Sequence, residues 1–134
     1  MTILPYAPHQ HAALAQLYLD TRRSCFPWLD GQAMQLGDFA RDTADESLLV
    51  AQDEHGQVQG FAGVYEKENF LHHLYVAPVA QGQGIGQALL QAAALRFTAT
   101  PSLKCFAANP RALAFYRQQG WQPAGEGVDA AGHR

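Results

Sequence analysis

A run of alternating glycines between an apolar segment and an amphipathic segment restricts this chain more than any other feature. The run is Gln81-Gly-Gln-Gly-Ile-Gly86, and the apolar stretch Phe70 to Val76 precedes it. Apolar residues at helical spacing follow it: Ile85, Ala88, Leu89, Ala92 and Ala93. This order predicts a strand, a tight loop and a helix. The backbone N–H groups of such a loop can surround an anion at the positive end of the helix dipole.

The loop departs from two well-known nucleotide-binding patterns. A dinucleotide fingerprint needs glycine where Gln87 stands, and an acidic residue about twenty positions later. The segment from Asn69 to Gly125 contains no Asp or Glu. The phosphate loop of nucleoside triphosphatases ends in Gly-Lys-Ser/Thr, but no Lys, Ser or Thr lies between Asn69 and Phe97. The remaining interpretations are a diphosphate site that needs no cation, and a loop whose glycines only permit a close turn.

The charge distribution favours an anionic ligand over nucleic acid. The whole chain has a net charge of −3, whereas proteins that bind the nucleic-acid backbone need a surplus of Lys and Arg. The acid-free segment around the loop has a charge of +4, and its field would attract an anion. It contains Arg96, Lys104, Arg111 and Arg117.

Length and composition predict one globular domain over residues 1–134. The 134 residues are 48% hydrophobic and 16% charged, which is typical of a folded domain. No basic start followed by an apolar run is present, and no apolar run approaches the ~20 residues that span a bilayer. We therefore expect a cytoplasmic protein that does not bind membranes. Cys25 and Cys105, 80 positions apart, are expected to be free thiols.

Hydrophobic periodicity predicts about six strands and four helices without internal repeats. The helices are expected at about His9–Arg23, between Met34 and Asp45, after the glycine loop, and from Asn109-Pro110 to Gly120. The predicted strands are Ile3–Tyr6, Ser47–Gln52, Val58–Tyr65, Phe70–Val76, Leu103–Ala107 and one that begins at Trp121.

Two segments resemble the signatures of the GNAT N-acetyltransferase superfamily. Leu74 to Leu90 matches the pattern Gln/Arg-x-x-Gly-x-Gly/Ala. Asn109 to Trp121 is similar to Asn-x-x-Ala-x-x-Phe-Tyr-x-x-x-Gly-Phe, with Trp121 in place of the final Phe. The resemblance covers a cofactor-binding core of about residues 47–123. It is weaker over the helices of about residues 9–45, which lie on the acceptor side in this family.

The resemblance implies an α/β (α+β layered) fold with a mixed, largely antiparallel sheet of about six strands flanked by four helices. Relatives usually add a seventh strand, but Val128 to Arg134 is polar and contains glycine. Either the sequence omits a C-terminal stretch, or a second copy completes the sheet edge in a homodimer.

The resemblance also implies acetyl-CoA as the cofactor and an amine as the acceptor. The glycine loop would bind the pyrophosphate, the preceding strand would hold the pantetheine arm, and the Val76 N–H would polarise the thioester carbonyl. Asn109 would contact the pantetheine, which is compatible with its role as a helix N-cap. The expected cofactor-binding residues are Leu74, Tyr75, Val76, Gln81, Gly82, Gln83, Gly84, Ile85, Gly86, Gln87, Asn109, Ala112 and Tyr116.

Catalysis needs a proton donor for the thiolate and a proton acceptor for the amine. By resemblance, Tyr116 is the donor. The strand before the loop lacks the carboxylate that relatives often place there, so His72 is the preferred base over His73. Strict alternation places His72 on the face of Phe70, Leu74 and Val76. Glu66, Glu68 or water alone are the alternatives.

No metal site is expected, because neighbouring strand residues such as His72 and His73 should point to opposite faces. The acceptor is predicted to be a small-molecule or peptide amine that contacts Phe26, Trp28 and Glu66. Two other functions remain open from the sequence: a non-catalytic coenzyme A-binding module, and a hydrolase that uses His72.

Overall fold

The structure, a computed structural model, describes residues 1–27, 29–103 and 110–121. The chain forms two compact units, Met1–Ser102 and Leu103–Arg134. The first contains most of the sheet and three helices, and the second contains the last described helix. The single domain over residues 1–134 stays a prediction.

The described residues form five strands in the sheet order β1-β2-β3-β4-β5. Neighbours from β1 to β4 pair antiparallel, which confirms the predicted fold class. Three strands have the predicted bounds, whereas β1 begins and ends one residue early and β5 begins one residue early. The predicted continuation of β5 and the sixth strand fall on residues 104–107 and beyond 121, outside the described residues. The strands are β1 (Thr2–Pro5), β2 (Ser47–Gln52), β3 (Val58–Tyr65), β4 (Phe70–Val76) and β5 (Ser102–Leu103).

Four α-helices are present in the described part of the chain, as predicted. They are α1 (His11–Cys25), α2 (Asp38–Asp42), α3 (Ile85–Ala94) and α4 (Pro110–Gln118). The first begins two residues later than predicted, because Pro8–Gln10 forms a separate 3₁₀ turn. The second is shorter than predicted, since Met34 has extended backbone angles and the helix begins only after Gly37.

The two long helices of the first unit cover opposite faces of the sheet. Phe61 in β3 packs against Tyr18 of α1, with ring centroids 6.0 Å apart. The preceding residue, Gly60, lies under Leu89 of α3. Because successive strand residues face opposite sides, α1 and α3 cover different faces. Buried apolar residues on the α1 face form a hydrophobic core: Leu14, Ala15, Leu17, Tyr18, Phe39, Val50 and Phe61.

A buried ion pair joins α1 to α2. The Arg22 guanidinium donates to Asp38 over 3.0 Å, and both side chains are only 11% exposed. The Arg22 guanidinium also lies 4.0 Å from the centre of the Tyr18 ring, a cation–π contact. Hydrogen bonds from the Gln35 N–H and from Arg22 hold the pKa of Asp38 below its usual 3.8. The pair therefore fixes α2 beside the core while keeping its charges compensated.

Gly60 allows the close approach of α3 to the sheet. A Cβ at position 60 would overlap the Tyr75 carbonyl oxygen, a backbone atom that cannot move aside. We expect Gly60→Ala to lower the free energy of unfolding by about 1–3 kcal/mol, the usual cost of overpacking. Gly37→Ala is the matched control, because Gly37 has φ −66° and, in the part of the chain that the structure describes, an added Cβ would meet no atom within 4 Å beyond its chain neighbours. Denaturant unfolding measures both, and equal stabilities would contradict the packing argument.

The lowered pKa of Asp38 predicts a pH-dependent contribution to stability. A carboxyl whose folded pKa is depressed stabilises the fold above its unfolded pKa, here 3.8, and this stabilisation disappears as the pH falls through the folded value. Asp38→Asn should therefore lower Tm by several degrees near neutral pH, and the difference from wild type should narrow below pH 3.8. Asp20→Asn, at an exposed position of α1, is the control. A difference that stays constant with pH would refute this account.

Candidate active site

The glycine loop places α3 directly after a left-handed turn. Gly82 and Gly84 have φ of 83° and 82°, a region that side chains with a Cβ rarely adopt, and Gly84 is the N-cap of α3. Gly84 has no side chain that could cap the helix. Among the described residues, and apart from the adjoining residues of the chain, no atom lies within 4 Å of a Cβ built at either glycine. The loop therefore presents the backbone N–H groups of the first helical turn beside open space, which suits an anion.

Gln81 joins the loop to its neighbours. Its side-chain amide donates to the Val76 carbonyl oxygen at 3.1 Å and to the Cys25 sulfur at 3.4 Å. The first contact connects the loop to the end of β4, and the second connects it to the end of α1. Gln81, which the sequence predicts to bind the cofactor, therefore also holds the loop in position.

The backbone of β4 directs hydrogen-bonding groups away from β3 at two of the predicted positions. The Ala77 N–H donates to the Gln59 carbonyl oxygen at 2.8 Å. Hydrogen bonding alternates along an antiparallel pair, so the N–H groups of Val76 and Leu74 point to the other side of β4. Tyr75 lies between them, and its backbone faces β3. The Leu74 and Val76 N–H groups therefore have the direction that the pantetheine prediction requires.

A β-bulge interrupts the pairing of β3 with β4. Gly63 pairs with His73 and Val64 pairs with Leu71, which leaves His72 without a partner on β3. The rings of His72 and His73 consequently approach to 4.0 Å between centroids. The expectation that these two side chains point to opposite faces is wrong, because alternation fails at a bulge. His72 does lie near Phe70, at 6.0 Å between rings, but it does not share the face of Leu74 and Val76.

The Glu46 carboxylate contacts the imidazoles of both His72 and His73. Its two carboxylate oxygens each lie 2.8 Å from an Nδ1 atom, one from His72 and one from His73. The Glu46 side chain is fully buried, that of His73 is 7% exposed, and that of His72 is 34% exposed. Burial opposes ionisation of Glu46, but the hydrogen bonds from the two histidines outweigh it and hold the pKa of Glu46 below its usual value. Glu46 is therefore a carboxylate.

The geometric reason for expecting no metal does not hold. The nearest donor atoms of Glu46, His72 and His73 all lie within 4.8 Å of one another. Their 2.8 Å contacts are the distances of hydrogen bonds in which an imidazole N–H donates to a carboxylate. That no metal binds stays a prediction.

Sequence reasoning missed Glu46, which lies 26 positions before His72. The sequence feature that could locate Glu46 is the register of the predicted β2–β3 hairpin. Ser47 pairs with Val64, so residue 46 lies beside the end of β3 and close to the start of β4. No motif or spacing rule identifies the contact itself, because it depends on the bulge.

The Tyr18 hydroxyl lies beside His73 on the side of α1. The Tyr18 hydroxyl donates to Asp42 at 2.7 Å, and its oxygen lies 3.5 Å from Nε2 of His73. Tyr18 also stacks on Tyr75, with centroids 5.0 Å apart. Burial, the neighbouring Tyr75 and the hydrogen bond to Asp42 raise the pKa of Tyr18. Tyr18 is therefore a neutral hydrogen-bond donor at physiological pH.

The remaining predicted site residues are spread over both units. Phe26 follows α1 and packs edge-on against Tyr75 at 5.8 Å. Glu66 accepts a hydrogen bond from Ser47 and lies 3.8 Å from Arg96. In the second unit, Tyr116 and Ala112 lie on α4, and the Tyr116 ring is 6.0 Å from that of Trp121. Trp28 and Asn109 lie outside the described residues.

Solved structures of known proteins share this fold. The chain has 22% sequence identity to apo-form YjaB from Escherichia coli, with a TM-score of 0.79 over 98% of this chain and 89% of that one. A ribosomal-protein-alanine N-acetyltransferase from Brucella melitensis is 25% identical, with a TM-score of 0.70 over 93% and 86%. The PaiA N-acetyltransferase from Thermoplasma acidophilum, solved in complex with coenzyme A, is 17% identical, with a TM-score of 0.73 over 99% and 96%.

Among the described residues, no helix combines the length and apolar character needed to traverse a bilayer.

Comparison at the level of sequence identifies the family. No curated protein matches the chain significantly. The family profile described as "Acetyltransferase (GNAT) domain" matches residues 44–123, more than half of the chain and nearly the same range as the predicted cofactor-binding core. The chain therefore belongs to the GNAT acetyltransferase family, whose cofactor is acetyl-CoA.

Proposed function

We propose that this protein is an acetyl-CoA-dependent N-acetyltransferase that moves the acetyl group directly to a primary amine of a small molecule or peptide. The observation that carries the proposal is the His72–Glu46 pair. It provides a partly exposed imidazole, fixed by a buried carboxylate, on the strand that leads into the glycine loop. An amine acceptor needs such a group, because it arrives as an ammonium and must lose a proton before it can attack.

The described residues fit the cofactor. The open space at Gly82 and Gly84, beside the start of α3, accommodates a diphosphate, and the outward N–H groups of Leu74 and Val76 suit the amides of the pantetheine. When bound, acetyl-CoA supplies the acetyl group as an activated thioester. The coenzyme A complex of the Thermoplasma acidophilum relative also supports this assignment.

His72 is the proposed proton acceptor. Its Nδ1 atom contacts Glu46, so Nε2 is the ring nitrogen assigned to take the proton. An imidazole held in this way accepts a proton at Nε2, while the carboxylate stabilises the positive charge that forms on the ring. Because the side chain is 34% exposed, an amine can reach it from solvent.

Two further roles come from the family resemblance. Tyr116 Oη donates a proton to the leaving thiolate, and the Val76 N–H donates to the thioester carbonyl oxygen. Phe26, Trp28 and Glu66 contact the acceptor. A single domain, a cytoplasmic location and a homodimer that completes the sheet edge stay predictions from the sequence.

The loop assignment is tested by a pair of glycine variants with equal backbone strain. Gly84 and Gly56 have φ of 82° and 79°, and no atom of the described residues beyond the chain neighbours lies within 4 Å of a Cβ added at either one. Gly84→Ala and Gly56→Ala should each lose about 1–2 kcal/mol of stability. Only Gly84→Ala should weaken coenzyme A binding, on the order of tenfold, measured by calorimetry. Equal affinities in the two variants would place the cofactor elsewhere.

The catalytic roles are tested by free-thiol release from acetyl-CoA with a panel of alkyl amines, polyamines and peptides. His72→Gln should lower kcat by roughly 10²–10⁴-fold, the usual contribution of a general base, while coenzyme A affinity stays unchanged. His55→Gln is the control, since that side chain is 75% exposed on the β2–β3 turn. Tyr116→Phe should also lower kcat.

Three outcomes would contradict these roles. Coenzyme A binding without thiol release for every amine would indicate a binding module. Thiol release that does not need an amine would indicate a hydrolase. An active His72→Gln variant would leave Glu66, Glu68 or water as the proton acceptor.

A further inference from the structure

We propose that Glu46 is a positioning residue that holds His72 and His73 together as Nδ1–H tautomers and thereby directs Nε2 of His72 towards the acceptor. The catalytic part of this inference rests on the proposed function. The tautomer assignment does not, because it follows from the two 2.8 Å contacts with an ionised Glu46.

The tautomers follow from the chemistry of the carboxylate. An ionised Glu46 can only accept hydrogen bonds, so each Nδ1 atom at 2.8 Å must carry the proton. Neutral imidazole in water favours the proton on Nε2. A fully buried carboxylate reverses that preference, because an oxygen left without a donor would be a buried, uncompensated charge.

Gly63 provides the room for this arrangement. A Cβ at position 63 would overlap Oε1 of Glu46 and lie 3.3 Å from Cβ of His73. Glu46 therefore passes directly over the backbone of β3, at the residue where the bulge begins. Because a methyl group at this point displaces the Glu46 carboxylate while both histidines stay in the sequence, Gly63→Ala is a second probe of Glu46.

The bulge explains why two histidines share one carboxylate. Without it, alternation would send His72 and His73 to opposite faces, and Glu46 could receive only one of them. With it, His73 occupies one oxygen from the buried side and His72 occupies the other from the exposed side. His73 is held in turn by its edge-on packing against Tyr18, at 5.5 Å between rings. Because His73 is held in place, its contact holds the Glu46 carboxylate, and the carboxylate in turn holds the His72 ring.

The tautomers are measured by ¹⁵N–¹H correlation spectra of the histidine rings in the wild-type protein. Both His72 and His73 should show a protonated Nδ1, and His72 should show an unprotonated Nε2. In Glu46→Gln the His72 ring should shift towards the Nε2–H form, whereas Glu54→Gln, at a side chain 83% exposed, should leave both spectra unchanged. A wild-type His72 with an unprotonated Nδ1 would overturn the proposal.

Kinetics separate positioning from a purely structural role. Glu46→Gln and Gly63→Ala should lower kcat by about 10–100-fold, as expected when the partner of a functional histidine is removed, with little change in the KM for acetyl-CoA. Glu46→Asp should restore part of kcat, since it keeps the charge on a shorter side chain. Normal kcat in a folded Glu46→Gln variant would overturn the positioning role.

Two further results have distinct meanings. Titration with Zn²⁺ alone should leave the Nδ1 protons in place at micromolar concentration. Stoichiometric Zn²⁺ uptake that removes both protons would show a metal site instead and overturn the proposal.

If wild type acetylates no amine, the proposed function and the catalytic role of Glu46 fail, whereas the ring spectra still decide the tautomers.

Discussion

The arrangement at the centre of this molecule depends on compensating one buried carboxylate. Glu46 is removed from solvent, so both of its oxygens need donors, and the nearest donors lie on a strand two positions across the sheet. A regular antiparallel strand cannot supply two adjacent side chains on one face. The bulge at His72 supplies them, and Gly63 leaves the space that the carboxylate occupies. Losing either the bulge or the space at Gly63 leaves the buried Glu46 charge without full compensation.

The regular parts of the fold could be predicted because local periodicity determines them. β2, β3 and β4 have the bounds that alternation and turn residues predict. The glycine loop and the family could be predicted from two ordered motifs, since both depend on residue type at fixed spacing. The starts of α1 and α2 differ from prediction because Pro8–Gln10 forms a 3₁₀ turn and Met34 has extended backbone angles, neither of which apolar spacing reveals.

The candidate base could be predicted only in part. His72 was selected by assuming strict alternation, and the structure places it near Phe70 through a bulge that breaks alternation. Glu46 could not be selected, because nothing local marks a residue before β2 as the partner of one on β4. A long-range contact of this kind follows from sheet register and from one inserted residue, and a single sequence specifies neither directly.

The position of β4 explains how one strand can serve both substrates. Its second half, at Leu74 and Val76, directs backbone N–H groups away from β3, where the cofactor would bind, and Gln81 connects its last carbonyl to the glycine loop. Its first half presents His72 through the bulge. The bulge sets the side to which His72 points, whereas the regular pairing of Val76 with Gly60 sets the direction of the Val76 N–H group. In the proposed function, the proton acceptor His72 and the thioester-binding N–H of Val76 lie four residues apart, and the strand holds them at a fixed separation.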